Sequence, residues 1–476
     1  MKKTLVKLVV AFALVFTLVN FSRPYSAQAT SVSMSSVFQV LNMDSTNTAT
    51  INIYYYNQNG TLATMDPTYT NPQSDTVAPL TVNTYYTLHV ASGFNGSVVV
   101  ASTMPVSAAV NLNVNTTAVA ASTYVSTEKG ASTIYFPLTM KGNSGITTAL
   151  AIQNIGSSSA DITIHFVPEA GSAYSAVSDV TDTLPQNGSK TYDMGTLSTF
   201  SAITTWVGAA TVSVTDTAND SIAGIAYEIN NTNAAAYQID MYSAITTPST
   251  TVEFPLQMES NSGNRSSINC ENIDPSTTTA MTVTYTREDS TSSIKPPVTL
   301  SNIPPYGLGV WLLKYKPNTA KFVGSAEVTT NPPVNIVCVG VQQNPTGGNV
   351  DDYVGFVPNS VTSKVWIPMI LSKYADATGG NFWTSINLAT LDKASHSITC
   401  TYLPAPGYTT PTASTGTGAS VVFLNKNIYG TGATFIGGAV CSSADSAPIM
   451  AIVNEINDKP VQTYRDAFSS FDGINK

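Results

Sequence analysis

Apolar and polar residues alternate with period two in many short stretches of this chain. Ile162, Ile164 and Phe166 alternate with Asp161, Thr163 and His165. In the same way Ile398, Cys400 and Tyr402 alternate with Ser397, Thr399 and Thr401. Successive side chains of a strand point to opposite faces, so each stretch predicts a strand with one dry and one wet face. Turn-forming runs such as Asn57-Gln58-Asn59-Gly60 and Pro185-Gln186-Asn187-Gly188 separate the stretches. Beyond the N-terminus no segment carries sustained helical periodicity. The pattern predicts an all-β chain built from antiparallel sheets.

The N-terminus reads differently. Lys2, Lys3 and Lys7 precede an apolar run over residues 8–19 that only Thr17 interrupts, and Ala27-Gln28-Ala29 follows. A basic start, a short apolar core and an A-x-A site predict a secretory signal over residues 1–29, with the mature chain starting at Thr30. No later run is long enough to cross a bilayer, so a secreted, extracellular or cell-surface location without membrane insertion is expected.

Landmarks recur along the rest of the chain. A large side chain followed by glycine and small apolar residues appears at Phe94-Asn95-Gly96, Trp206-Val207-Gly208, Phe322-Val323-Gly324 and Phe435-Ile436-Gly437. The glycines stand 112, 116 and 113 residues apart. An apolar segment follows each one, at residues 105–111, 221–227, 333–339 and 448–454, and then a tyrosine: Tyr124, Tyr242, Tyr353 and Tyr464. Three copies open on Phe136-Pro137-Leu138, Phe254-Pro255-Leu256 and Ile367-Pro368-Met369. Self-similarity at a fixed period signals repeated units. The reading is four tandem immunoglobulin-like antiparallel β-sandwich domains over residues 30–126, 127–246, 247–358 and 359–476, each of about 110 residues. Set end to end they would form a rod of roughly 150 Å. Counting back from the other copies places the opening strand of the first inside the leader, near Pro24. The mature first unit would then lack that strand and expose an edge, which suggests homo-assembly by strand donation.

The opening motif, the Val-Gly-[Ala/Ser]-Ala strand and the stretch Ala451-Ile452-Val453-Asn454-Glu455-Ile456-Asn457 resemble tandem Ig-like repeats of large bacterial surface proteins. The resemblance covers essentially all of the expected mature chain, its motifs are structural, and it implies a stalk, an adhesive rod or an envelope-layer component. It carries no catalytic residue, and the first and third copies depart from the closing motif.

Composition narrows the partners. Only 10% of residues are charged and the net charge is −9. The leader holds four basic residues and no acidic one, so the mature chain would carry −13. An acidic chain without a basic cluster argues against nucleic acid and anionic lipid, leaving a protein or a glycan at the cell surface. The four cysteines lack C-x-x-C spacing, and in an exported chain they predict disulfides, one within the third unit (Cys270, Cys338) and one within the fourth (Cys400, Cys441).

Searches for chemistry return little. His89, His165 and His396 lie in strand-like stretches, and no G-x-S-x-G elbow accompanies them. No phosphate loop, H-E-x-x-H or EF-hand pattern occurs, so no catalytic residue, cofactor or metal is expected. Asp351-Asp352 is a candidate for helping to bind calcium at a domain junction, but two adjacent carboxylates are few for a shell of six to eight oxygens, and a solvated linker is the default reading. Glu228 and Glu455 occupy equivalent places in different units, too separate for paired glycosidase carboxylates. Lys141 and Lys373 occur in the same two units, whereas the third has Glu259 for the lysine and Gly340 for the glutamate. This predicts salt bridges Lys141–Glu228 and Lys373–Glu455. Tyr54, Tyr56 and Tyr85 are candidates for a glycan-binding platform. The expectation is a non-catalytic structural or adhesive surface protein, with carbohydrate binding as the alternative.

Overall fold

The strand Ala160–Pro168 buries Ile162, Ile164 and Phe166 and turns Asp161 to solvent, as the alternation requires. The same alternation recurs in Ala49–Asn57 and in His396–Pro404, where Ile398, Cys400 and Tyr402 are buried. The computed structural model describes residues 10–16, 33–115, 119–230, 238–288, 295–313, 321–344, 349–375, 380–428, 434–458, 464–466 and 468–476. Among them the fold is all-β, interrupted by short 3₁₀ turns such as Ser198–Phe200. No helix there is long and apolar enough to cross a membrane.

Eight sheets hold the described residues, and the stretch 127–246 shows how two of them pair. Its outer sheet runs Val180–Leu184, Ala160–Pro168, Trp206–Val214, Thr133–Lys141. Its inner sheet runs Ser189–Asp193, Ile146–Asn154, Ile222–Asn230, Gln238–Ser243. The stretch 247–358 repeats both orders strand for strand, and the last stretch adds short strands to the same core.

The sequence landmarks have local physical causes. In Thr133–Lys141, Thr251–Glu259 and Lys364–Ser372 the ladder to the neighbouring strand shifts register where the proline falls. Proline has no N–H for a ladder, so a bulge is where a sheet tolerates it. The bulge's backbone groups find a partner in the landmark tyrosine. The Tyr242 hydroxyl donates to the Leu138 carbonyl at 2.5 Å and accepts from the Leu138 N–H at 3.2 Å. Tyr353 donates likewise to Leu256. Phe471, rather than the expected Tyr464, takes the equivalent place in the last stretch, opposite Val453. Tyr464 lies in Tyr464–Asp466, which runs parallel to Val119–Val125. The recurrent glycine meets a facing backbone. A Cβ at Gly96, Gly208, Gly324 or Gly437 would lie within 2.2 Å of the carbonyl oxygen of Tyr56, Val167, Thr286 or Leu403.

Both disulfides form as expected, Cys270 with Cys338 and Cys400 with Cys441. Each joins directly paired residues of adjacent strands in one sheet. In antibody domains the bond instead spans the two sheets.

Part of the N-terminal apolar run also forms a strand of the fold. Val10–Phe16 pairs with Gly96–Ser102 in the place that Thr133–Lys141 takes beside Trp206–Val214. The opening strand of the first stretch is thus supplied by residues 10–16, further back than the count to Pro24 suggested.

The four stretches do not line up as the expected rod. Val119–Val125, Gln238–Ser243, Asn349–Val354 and Phe468–Asp472 are the closing strands of their inner sheets, here termed axial strands. Each packs beside the next, and the fourth returns to the first. The opening strands close a second layer of contacts: Thr133–Lys141 packs on the inner sheet of the third stretch, Thr251–Glu259 on that of the fourth, and Lys364–Ser372 on that of the first. This arrangement makes the inner sheets dry on both faces, against the expectation of one wet face. Ile222–Asn230 is buried along all but its last residue. Apolar clusters accordingly cross between stretches, Leu308, Val339 and Val341 joining the core around Trp206. Four strands wrapped on one axis leave room there only for side chains, and the axis is where the ionisable groups gather.

Candidate functional site: the axial acidic centre

Each axial strand presents its residues to the axis in the same register. The cross-strand pairs there are Leu112 with Ser122, Glu228 with Asp240, Gln342 with Asp351, and Glu455 with Ser469. Asp352, one residue on, is also buried. Glu228 thus corresponds to Gln342 in the third stretch, and the alignment to Gly340 was displaced by two residues.

Around Glu455 the polar groups satisfy one another. Asn111 donates to both its oxygens at 3.2 and 3.4 Å, and the Thr123 hydroxyl donates at 3.3 Å. Thr123 also meets the Ser469 hydroxyl at 2.8 Å. Beside them Gln342 donates to Asn454 and Ser470, both at 3.3 Å. Burial still pushes the Glu455 carboxyl up to about 7, against the lowering effect of Asn111, Thr123 and Ser469.

Across the axis the balance reverses. Glu228, Asp240 and Asp352 bring carboxylate oxygens within 4.8 Å of one another. The Asp352 N–H donates to Asp240 Oδ1 at 2.7 Å. Glu228 Oε1, Asp240 Oδ2 and both carboxylate oxygens of Asp352 lack a hydrogen-bond partner. What faces Asp352 is the Asp240 carboxylate, itself an acceptor, so their contact needs a proton or a cation between them. Burial, then the charge of Asp240, pushes Glu228 and Asp352 well above the usual carboxylate range, and burial raises Asp240 too. Nearby, burial lifts Asp472 to about 8, although its Oδ2 accepts from the Val354 N–H at 3.1 Å.

A cavity of about 430 Å³ lies where the four axial strands end, and residues of all four stretches line it, among them Lys129, Thr246, Asp352 and Asp472. Asp352 therefore belongs both to the acid cluster and to the cavity wall. Glu228 and Asp352 are only 2% and 1% exposed, too little for a sugar chain to reach.

The other residues named from sequence fall elsewhere. Lys141 lies in an outer sheet, and its ammonium donates to the Phe200 carbonyl at 2.5 Å. Glu228 stands in the inner sheet among acids, so no Lys141–Glu228 bridge forms. Lys373 follows its opening strand at a positive φ of 50°, and Glu455 is held by Asn111 and Thr123, so the second bridge does not form either. Asp351 and Asp352 are buried on the axis rather than solvated. Tyr54 and Tyr56 stack on one face, ring centroids 6.2 Å apart and 9° from parallel. Tyr85 is separate: it stacks on Phe38 at 4.8 Å and donates to Asp75 at 2.7 Å. His165 meets Asp179 at 2.7 Å, and His89 stacks on Tyr69. His396 has both nitrogens engaged, by Asp445 at 2.6 Å and Asp392 at 2.9 Å. Those two carboxylates raise its pKa and occupy the nitrogen a serine nucleophile would need.

Sequence reasoning passed over Asp240 and Asp472. A usable signal was present, because Asp240 and Asp351 both stand two residues before the landmark tyrosine. Neither a protein-family model nor a curated protein matches the chain.

Proposed function

We propose that the protein is an exported, non-catalytic structural or adhesive component of the cell surface. The observation that supports this most is the use made of the recurrent residues. Prolines form bulges, tyrosines satisfy them, glycines admit a facing carbonyl, and cysteines join neighbouring strands. All of these serve packing and closure. The disulfides suit an oxidising compartment, and the basic-apolar leader suits export.

Export bears on assembly. Cleavage after Ala29 would remove Val10–Phe16 and leave Gly96–Ser102 as an open edge, which a strand from another chain would cover. The test is immunogold electron microscopy of the native envelope, beside size-exclusion chromatography of the mature chain. Label in a surface layer or filament, and concentration-dependent oligomers, support the reading. Label confined to the cell interior overturns it.

Carbohydrate binding is the second reading, and the stacked, partly exposed Tyr54 and Tyr56 favour it. A glycan array with wild type and Tyr54→Ala/Tyr56→Ala decides it. Signal lost in the variant supports binding there, and no signal from wild type dismisses it.

A further inference from the structure

We propose that Glu228, Asp240 and Asp352 form a site for a hard divalent cation, calcium before magnesium, which ties the second stretch of the chain to the third at the axis. The first support is spacing. The three carboxylates place oxygens within 4.8 Å of one another. Calcium binds oxygen at 2.3–2.6 Å, so ligands on opposite sides of one ion stand about 4.6–5.2 Å apart. The three groups are therefore close enough to share one ion after small side-chain adjustments.

The second support is independent of spacing. Both oxygens of Asp352 lack a donor although the residue is 1% exposed, and Glu228 Oε1 and Asp240 Oδ2 are in the same position. Burying a carboxylate oxygen without a partner is costly, and each of the three residues carries at least one such atom. Among the described residues no lysine, arginine or histidine forms an ion pair with any of the three. A cation supplies the missing positive charge and takes one ligand atom from each of the three residues.

The surroundings are arranged to hold the ligands still. The Asp352 N–H occupies Asp240 Oδ1 and leaves Oδ2 for the ion. Thr148, opposite Glu228 in the ladder, hydrogen-bonds the glutamate side chain. Asp352 reaches the axial cavity, which offers an entry path and water to complete the shell. Magnesium fits less well, because it binds at 2.0–2.1 Å, demands near-octahedral geometry and gives up water reluctantly.

The test uses the mature chain stripped with EDTA and dialysed against CaCl2 or MgCl2 at neutral pH. Metal content is read by mass spectrometry, and thermal unfolding is followed in parallel. The expected result is one retained calcium per chain and a thermal midpoint several degrees higher in calcium than in EDTA, with a smaller response to magnesium. Asp352→Asn and Glu228→Gln should abolish retention and the midpoint shift while keeping the wild-type far-ultraviolet dichroism. A wild type that retains no calcium at millimolar concentration, with the same midpoint in CaCl2 and EDTA, overturns the proposal: the acids would then be held by protons. The wild-type measurement decides even if a variant fails to fold.

Discussion

The two sides of the axis carry buried carboxylates in equivalent register yet treat them in opposite ways. Glu455 is surrounded by Asn111, Thr123 and Ser469, each able to donate to it. Glu228 instead faces Asp240 and Asp352. Burial is similar on the two sides, so the difference lies in the donors that the neighbouring stretch brings. The first stretch supplies an amide and a hydroxyl to Glu455, whereas the third supplies another acid to Glu228. A buried carboxyl is tolerated when donors surround it. It becomes a demand for a proton or a cation when acceptors do.

The largest expected effect comes from breaking the satisfied side. Glu455→Ala takes the acceptor from the Asn111 amide and opens a cavity, and should destabilise by about 3 kcal/mol in urea unfolding. On the opposite side the sign reverses: in EDTA, Asp352→Asn removes an unpartnered charge and should stabilise by about 1–2 kcal/mol at pH 8. Equal and same-signed effects in the two variants would erase the contrast.

A pH series sharpens it further. Burial raises Glu455 to about 7, and Asp472 and Glu271 to about 8, from ordinary carboxylate values near 4. Between those limits the native state keeps protons that the unfolded state has released. The contribution is whole below about pH 4 and is lost as pH rises toward 8. Metal-free protein should therefore unfold at a lower temperature at pH 8 than at pH 5, and a midpoint that rises over this range contradicts the assignment. The smallest effect belongs to the bulge clasp. Tyr353→Phe removes the hydroxyl that meets Leu256 and Gln257 and should cost about 1 kcal/mol, read by urea midpoint. Phe471 already fills the equivalent place without a hydroxyl.

Much of the architecture was legible in the chain because its signals are local. Alternation fixes which face of Ala160–Pro168 is buried, and the proline in Phe254-Pro255-Leu256 locates a bulge. The cysteine pairs were also readable from the alignment of copies. The closure was not, because a strand with one dry face looks alike whether its other face meets solvent or a neighbouring sheet's polar groups. The uncharged run from Ile222 to Tyr227, with no polar residue alternating in it, held the clue. The acidic centre was hidden for a related reason. Adjacent aspartates usually mean solvent, and Asp240 and Asp352 meet only because closure brings together residues 112 apart. The shared presence of lysine and glutamate in two copies misled, since Lys141 and Glu228 belong to different sheets.

Every contrast drawn on the axis depends on four sheet pairs closing around it. Small-angle X-ray scattering of monomeric protein comprising residues 30–476 measures that directly. A closed arrangement of about 447 residues should give a radius of gyration of about 22 Å. A value above about 40 Å, as for a rod of roughly 150 Å, would contradict it.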